Sequence, residues 1–217
     1  MLAGSAHGPL HSQHQRGPVT IAIVDYGAGN LTSVKKAFDF LGKPAVITSD
    51  ADQVVRADKL IVPGVGHFAT TRALWTSGLK DAIVSAIGKG TPLLGICLGM
   101  QWMFNSSSEA HGVAGLGVFP GKSVHFPAEV KSPHVGWNAL QTRGDSRLFR
   151  GMPAECFVYF THSYRVPLVD ATVATCEYGG TFSAAVEKDN LFGVQFHPEK
   201  SGAVGMKLLE NFCGLSC

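Results

Sequence analysis

The chain has 217 residues, eighteen basic and sixteen acidic, for a formal net charge of +2; 45% are hydrophobic and 16% charged. That apolar share fills the core of one ordinary domain and excludes a largely disordered chain, and the lack of any long Lys/Arg run argues against a nucleic-acid binder that works through phosphates. Its longest apolar stretches, such as Leu93 to Met100, are far below the ~20 residues that span a bilayer, and five Cys with no C-x-x-C pair suit neither a disulfide scaffold nor a structural zinc site, so no metal and a reducing, cytoplasmic compartment are expected.

Residues 1–18, rich in Gly, Pro, His and Ser, read as a flexible N-terminal tail without the apolar core of a signal peptide. His7, His11 and His14 offer metal ligands in principle, but the composition favours a plain leader. One domain is expected over 19–217. The β-branched run from Val19 to Asp25 predicts a strand covered on both faces. A turn at Gly27 and Gly29 leads to a helix from Leu31 to Leu41, ended by Gly42. Ala45 to Thr48 and Lys59 to Val62 predict two more strands, the second stopped by Pro63-Gly-Val-Gly66. A helical stretch runs from about Phe68 to Ile87 with a possible break at Gly78. Pro92 to Ile96 is strand-like and leads into helical spacing from Cys97 to Phe104.

Strands that alternate with helices predict a parallel sheet built from right-handed crossovers. The second half differs. Lys122 to Phe126, Gly136 to Gln141, Cys156 to Phe160, Thr172 to Glu177, Ser183 to Glu187 and Leu191 to Phe196 all read as strands, and only Ala203 to Phe212 as a clear helix. This half is expected to form an antiparallel extension that completes the same core.

The strongest chemical signal is Gly95-Ile-Cys97-Leu-Gly99 at a strand-to-helix junction. It has the form of a nucleophile elbow with Cys in place of Ser. A sharp turn there thrusts the thiol out of the sheet, and a helix N-terminus favours an anionic sulfur. The amide of Leu98 would face a developing oxyanion. A lone Cys at a strand end is more often simple packing, but the five-residue frame points to a nucleophile. A nucleophilic Cys needs a base and a group that orients it. Gly193-Val-Gln-Phe-His197-Pro-Glu199 supplies both, with a carboxylate two residues after the His.

Together, PLLGICLGMQ, GVQFHPE and the VPGVG loop resemble the class I, Cys-His-Glu triad glutamine amidotransferases. DYGAGN, VPGVGHF, HVGWN, YFTHSYR and FGVQFHPEKSG narrow the resemblance to the glutaminase subunits of imidazole glycerol phosphate synthase, in histidine biosynthesis, over Ile21 to Phe212. It implies an α/β, flavodoxin-like fold with a mainly parallel central sheet. It also implies that Cys97 attacks the carboxamide of glutamine, that His197 protonates the departing ammonia and then activates water, and that Glu199 orients His197. Gly64, Val65 and Gly66 match the loop that lends a second oxyanion donor by a peptide flip, although alone they would read as a strand-ending turn. Gln101 and Glu109 match residues that hold glutamine, and Ser163 and Tyr164 match a segment whose backbone lines the same pocket.

The resemblance also implies a (β/α)₈-barrel cyclase partner in a heterodimer, through which ammonia travels, and no cofactor. The chain ends at Cys217, soon after its last expected helix, so the barrel is expected on another polypeptide. Asn30, Trp137 and Lys200 match positions near that contact; Trp137 suits a core equally well, and Lys200 a solvated surface. Val135 stands where Met is common in such segments, a departure that leaves the triad untouched. Alternatives are a glutaminase serving anthranilate or guanylate synthesis, a free-standing cysteine hydrolase, and a catalytically silent binding subunit, which would have no need of all three triad residues.

Overall fold

Residues 20–143 and 145–216 are described by a computed structural model; the tail expected over 1–18 lies outside them, as does Val19. The apolar runs of the first half become strands β1 (Ile21–Val24), β2 (Ala45–Thr48), β3 (Lys59–Gly64) and β4 (Leu93–Cys97). Every residue of β1, β3 and β4 is buried, as strands with helices on both faces must be. Between them lie α1 (Leu31–Phe40), α2 (Ala51–Arg56), a 3₁₀ turn at Phe68–Thr71, α3 (Arg72–Thr76) and α4 (Leu79–Gly88). The helical stretch expected over 68–87 is thus three pieces, and Gly78, at φ 79°, opens the last. Helix α5 (Leu98–Trp102) is shorter than the spacing suggested, because Phe104 already starts strand β5 (Phe104–Ser107).

The second half adds β6 (Phe119–His125), β7 (His134–Thr142), β8 (Glu155–His162), β9 (Tyr164–Arg165), β10 (Thr172–Glu177), β11 (Thr181–Lys188), β12 (Leu191–Val194) and helix α6 (Gly202–Cys213). The main sheet has nine strands in the order β2-β1-β3-β4-β12-β11-β10-β7-β8, and β5, β6 and β9 form a small second sheet. Strands β2, β1, β3, β4 and β12 run parallel, while β11, β10, β7 and β8 are joined by antiparallel pairings. Strand β12 joins the two parts of the expected sheet, antiparallel to β11 and parallel to β4. A two-residue turn at Asp189 and Asn190 folds it back against β11, and that direction is parallel to β4.

Alternate strand residues feed two apolar layers. Ile21, Ile23, Ile61, Leu94 and Ile96 pack toward Phe38 of α1 and Leu208 and Phe212 of α6. Ala22, Val24, Leu60, Val62 and Leu93 pack toward Val54, Leu74, Ile83 and Trp102 on the opposite face. The sheet is thus a buried plate, and the C-terminal ends of its parallel strands carry the chemistry-bearing turns.

Candidate active site

Strand β4 ends in Cys97, which adopts φ 54°, ψ −107°, a region that side chains with a Cβ rarely occupy. The turn is possible because its neighbours lack side chains. A Cβ on Gly99 would lie 1.8 Å from the carbonyl oxygen of Val62 in β3, and one on Gly95 would lie 2.8 Å from the backbone of Gly99. The glycines let strand and helix close onto each other, and the turn presents the thiol at the sheet edge. The Cys97 Sγ lies 3.9 Å from the Thr161 carbonyl oxygen and receives the Gln195 Nε2–H at 3.6 Å.

Register then supplies the base. Val194 of β12 pairs with Ile96 of β4, so the chain leaving β12 passes Cys97 and delivers Gln195 and His197 beside it. The His197 amide donates to the Tyr159 carbonyl at 2.9 Å, and the Ser201 hydroxyl donates to the His197 carbonyl at 2.6 Å, which pins this turn to β8. His197 Nδ1 and Glu199 Oε1 are 2.8 Å apart, with side chains 3% and 1% exposed. Burial alone would lower the His197 pKa; the neighbouring Cys97 sulfur and the Glu199 carboxylate outweigh it and carry it up to about 10. His197 Nε2 closes no hydrogen bond of ordinary geometry, although the sulfur is near enough to act on it electrostatically.

In front of Cys97 lies an open cleft of about 490 Å³, whose walls include Val65, Glu109, Ser163, Tyr164 and Lys200. Gly66 and Leu98 also reach it; Gly64 lies just behind, where a Cβ would come 2.8 Å from that of Leu98. Gly66 sits at φ 95°, a conformation only glycine adopts readily, and Val65 is 40% exposed. Gln101 donates both amide hydrogens, to the Tyr164 carbonyl at 2.9 Å and to Gln195 Oε1 at 3.1 Å, so its own Oε1 is what it offers a ligand. Glu109 Oε2 accepts the Phe68 amide at 2.7 Å and so ties the cleft to the turn that follows the glycine loop.

Of the three expected partner-facing residues, Lys200 lines the cleft and Asn30 and Trp137 do not. Asn30 caps α1, its Oδ1 accepting the Ser33 amide at 3.2 Å. Trp137 is 57% exposed on β7 and is no core residue. Lys200 stands at the cleft rim with its Nζ 5.8 Å from the Tyr159 ring.

Sequence reasoning missed several neighbours. Gln195 touches the sulfur but is a lone amide inside an apolar strand end, with no pattern to betray it. Tyr26 follows β1; its buried hydroxyl has no hydrogen-bond partner, and a Cβ on Gly64 would come 2.3 Å from it. Burial, then the nearby Cys97, push that phenol's pKa well up. Burial also raises the thiols of Cys156, Cys176 (to about 12) and Cys213 (to about 11), none of which lies beside the His197–Glu199 pair. Among those residues no cluster of His, Cys, Asp or Glu is arranged to hold a metal ion.

Comparison with known proteins places this geometry. Residues 22–214 match the family model described as glutamine amidotransferase class-I. The chain is 48% identical, over 88% of its length and 93% of the relative's, to the imidazole glycerol phosphate synthase subunit HisH of Moorella thermoacetica. It is 43% identical, over 90% of its length and 99% of the relative's, to the subunit of the same name from Methanocaldococcus jannaschii. Among solved structures, PurLQS from Thermotoga maritima superposes with a TM-score of 0.69 at 18% identity, over 91% of this chain and 98% of that one. A structure described as glutamine amidotransferase superposes at 0.70 with 19% identity, covering 88% and 96% of the two chains. At such identities the superpositions speak to the fold alone.

Proposed function

The chain belongs to the class-I glutamine amidotransferases, among the HisH subunits of imidazole glycerol phosphate synthase, and from that premise we propose how its cleft works. It is a glutaminase. Glutamine enters with its carboxamide at Cys97, its α-ammonium toward Glu109 and Gln101 Oε1, and its carboxylate along the Ser163–Tyr164 backbone. The sulfur attacks the carboxamide carbon and the oxygen becomes an oxyanion held by the Leu98 amide. A second donor comes from the Gly64-Val65-Gly66 loop once a peptide there turns its N–H inward. His197, which keeps its proton through neutral pH, gives it to the nitrogen as the C–N bond breaks. Ammonia leaves and a thioester remains. His197 then takes a proton from water, which attacks the thioester, and glutamate departs with the thiol restored.

The observation that carries this reading is the 2.8 Å His197–Glu199 contact beside a thiol on a positive-φ turn, set where the adjacent parallel strands β4 and β12 end. The ammonia passes to a (β/α)₈-barrel cyclase subunit, which makes imidazole glycerol phosphate and aminoimidazole carboxamide ribotide. Trp137 and Lys200 on the cleft side, and Asn30 on the turn before α1, are the residues we assign to that contact. A cytoplasmic setting suits the free thiols. The test is Cys97→Ala in the reconstituted complex. Glutamine-dependent synthesis is expected to fall by orders of magnitude, while synthesis from ammonium salt persists. Retained glutamine-dependent synthesis would refute the nucleophile, and loss of both reactions would refute a subunit that only supplies ammonia.

A further inference from the structure

We propose that His134 and His162 are positioning residues for the glutamine cleft: His134 fixes the tautomer of His162, His162 holds the Tyr164 carbonyl, and that carbonyl aims Gln101. The inference rests on the glutaminase reading.

The two rings are buried, 4% and 6% exposed, on facing positions of β7 and β8. His162 Nδ1 lies 2.9 Å from the Tyr164 carbonyl oxygen. A carbonyl only accepts, so Nδ1 carries the proton and Nε2 is left with a lone pair. That lone pair lies 3.2 Å from His134 Nδ1, which must therefore be the donor. His134 Nε2 is then an acceptor, and the amide of Asn138 stands 3.4 Å from it while also donating to the Glu177 carbonyl at 3.2 Å. One pattern of protons satisfies every contact, and it is directional from β7 toward the cleft.

Neither ring can readily turn or charge. His134 is stacked between Phe160 and Tyr178, with ring centroids 4.7 and 4.0 Å away. Burial drives the pKa of His134 to about 4 and that of His162 to about 3, so both are neutral across the physiological range. At its far end the chain meets the chemistry. The Tyr164 carbonyl also accepts Gln101 Nε2, Gln101 donates its other hydrogen to Gln195, and Gln195 donates to the Cys97 sulfur. If His162 took the other tautomer, its bare Nδ1 would face the carbonyl, and two acceptors would push apart. The Tyr164 backbone and the Gln101 Oε1 would lose their aim.

The rival account is that the histidines merely fill an aromatic box. Two substitutions of His134 separate the accounts. His134→Asn keeps an N–H near the Nδ1 position; His134→Leu keeps bulk and removes the donor. In the complex with the cyclase, His134→Leu is expected to lower glutamine kcat/KM about tenfold or more, mainly through KM, as loss of one buried hydrogen bond would. Ammonia-dependent synthesis should be unchanged, and His134→Asn should recover most of the loss. Ring-¹⁵N NMR of the wild-type protein should show His162 protonated on Nδ1 alone, and His134→Leu should mix in the other tautomer. Wild-type His162 protonated on Nε2, or equal kcat/KM for the Leu and Asn variants, would overturn the inference. Should His134→Leu fail to fold, the wild-type tautomer and the kcat/KM of His134→Asn decide it. A wild-type complex that consumed no glutamine would instead overturn the glutaminase reading, and the tautomer measurement would still stand apart from it.

Discussion

His197, just past β12, and the His134–His162 pair on β7 and β8 are all buried, yet they titrate in opposite directions. Burial dominates the pair and drops it to about 4 and about 3, whereas His197 is carried to about 10 by the Cys97 sulfur and Glu199 despite its burial. An unfolded His binds its proton near 6.5. Below that pH the unfolded chain gains protons that the native pair refuses, so stability falls as pH drops from 6.5 toward 4, by up to about 1.4 kcal/mol per pH unit for each ring. The His197 contribution is complete below 6.5 and is lost as pH rises toward 10. Urea midpoints should therefore decline on both sides of neutrality. His134→Asn should flatten the acid limb and Glu199→Gln the alkaline one; limbs unchanged in these variants would contradict the assignments. Glu199→Gln should also cut glutaminase kcat roughly 10²–10⁴-fold with KM little altered, since the charge that steadies the imidazolium is gone. Of these residues, Cys97, His197 and Glu199 were legible in the sequence because short frames surround them. His134 and His162 also sit in short frames, HVGWN and YFTHSYR, but their contact was not legible, because they stand 28 residues apart and meet only through the β7–β8 register.

At the scale of elements, the elbow depends on a backbone-to-backbone approach. A methyl on Gly99 would overlap the Val62 carbonyl oxygen, so β3 and α5 must separate to admit it. Gly99→Ala is expected to destabilise the fold by roughly 1–3 kcal/mol or more, read as a lower urea midpoint, and to cost glutaminase activity beyond that, because Cys97 and Leu98 ride on the same turn. An unchanged midpoint would show that the elbow has slack. The long apolar strands and α1, α4 and α6 were readable from periodicity. The short elements were not. Helix α2 has six residues and too few turns to show a period, and β5, with two serines and an asparagine, lacks the apolar alternation of a strand. The parallel placement of β12 was hidden for another reason. Residue pattern reveals that a strand is buried, but its direction follows from the tight turn before it and from which edge was left open.

For the whole molecule, Val135 and Trp137, 56% and 57% exposed, pair across β7 and β8 with Thr161, which lines the cleft, and Tyr159. The oxyanion role proposed for the glycine loop at the cleft rim requires a peptide there to turn, and Gly66, at φ 95°, lacks the Cβ that would resist it. Free subunit is therefore expected to hydrolyse glutamine slowly, and addition of the cyclase with its ligand should raise the rate by selecting the competent loop. Equal rates with and without the partner would contradict this. The position of β12 has one more consequence, for synthesis of the chain. Strand β12 slides between β4 and β11, two neighbours that the ribosome has already made. Until it does, the sheet is split along its middle and the thiol faces no base. A chain truncated before β12 is therefore expected to be inert toward glutamine, read by a glutaminase assay of the truncated protein. Closing the sheet and bringing His197 and Glu199 to Cys97 therefore both depend on the same strand.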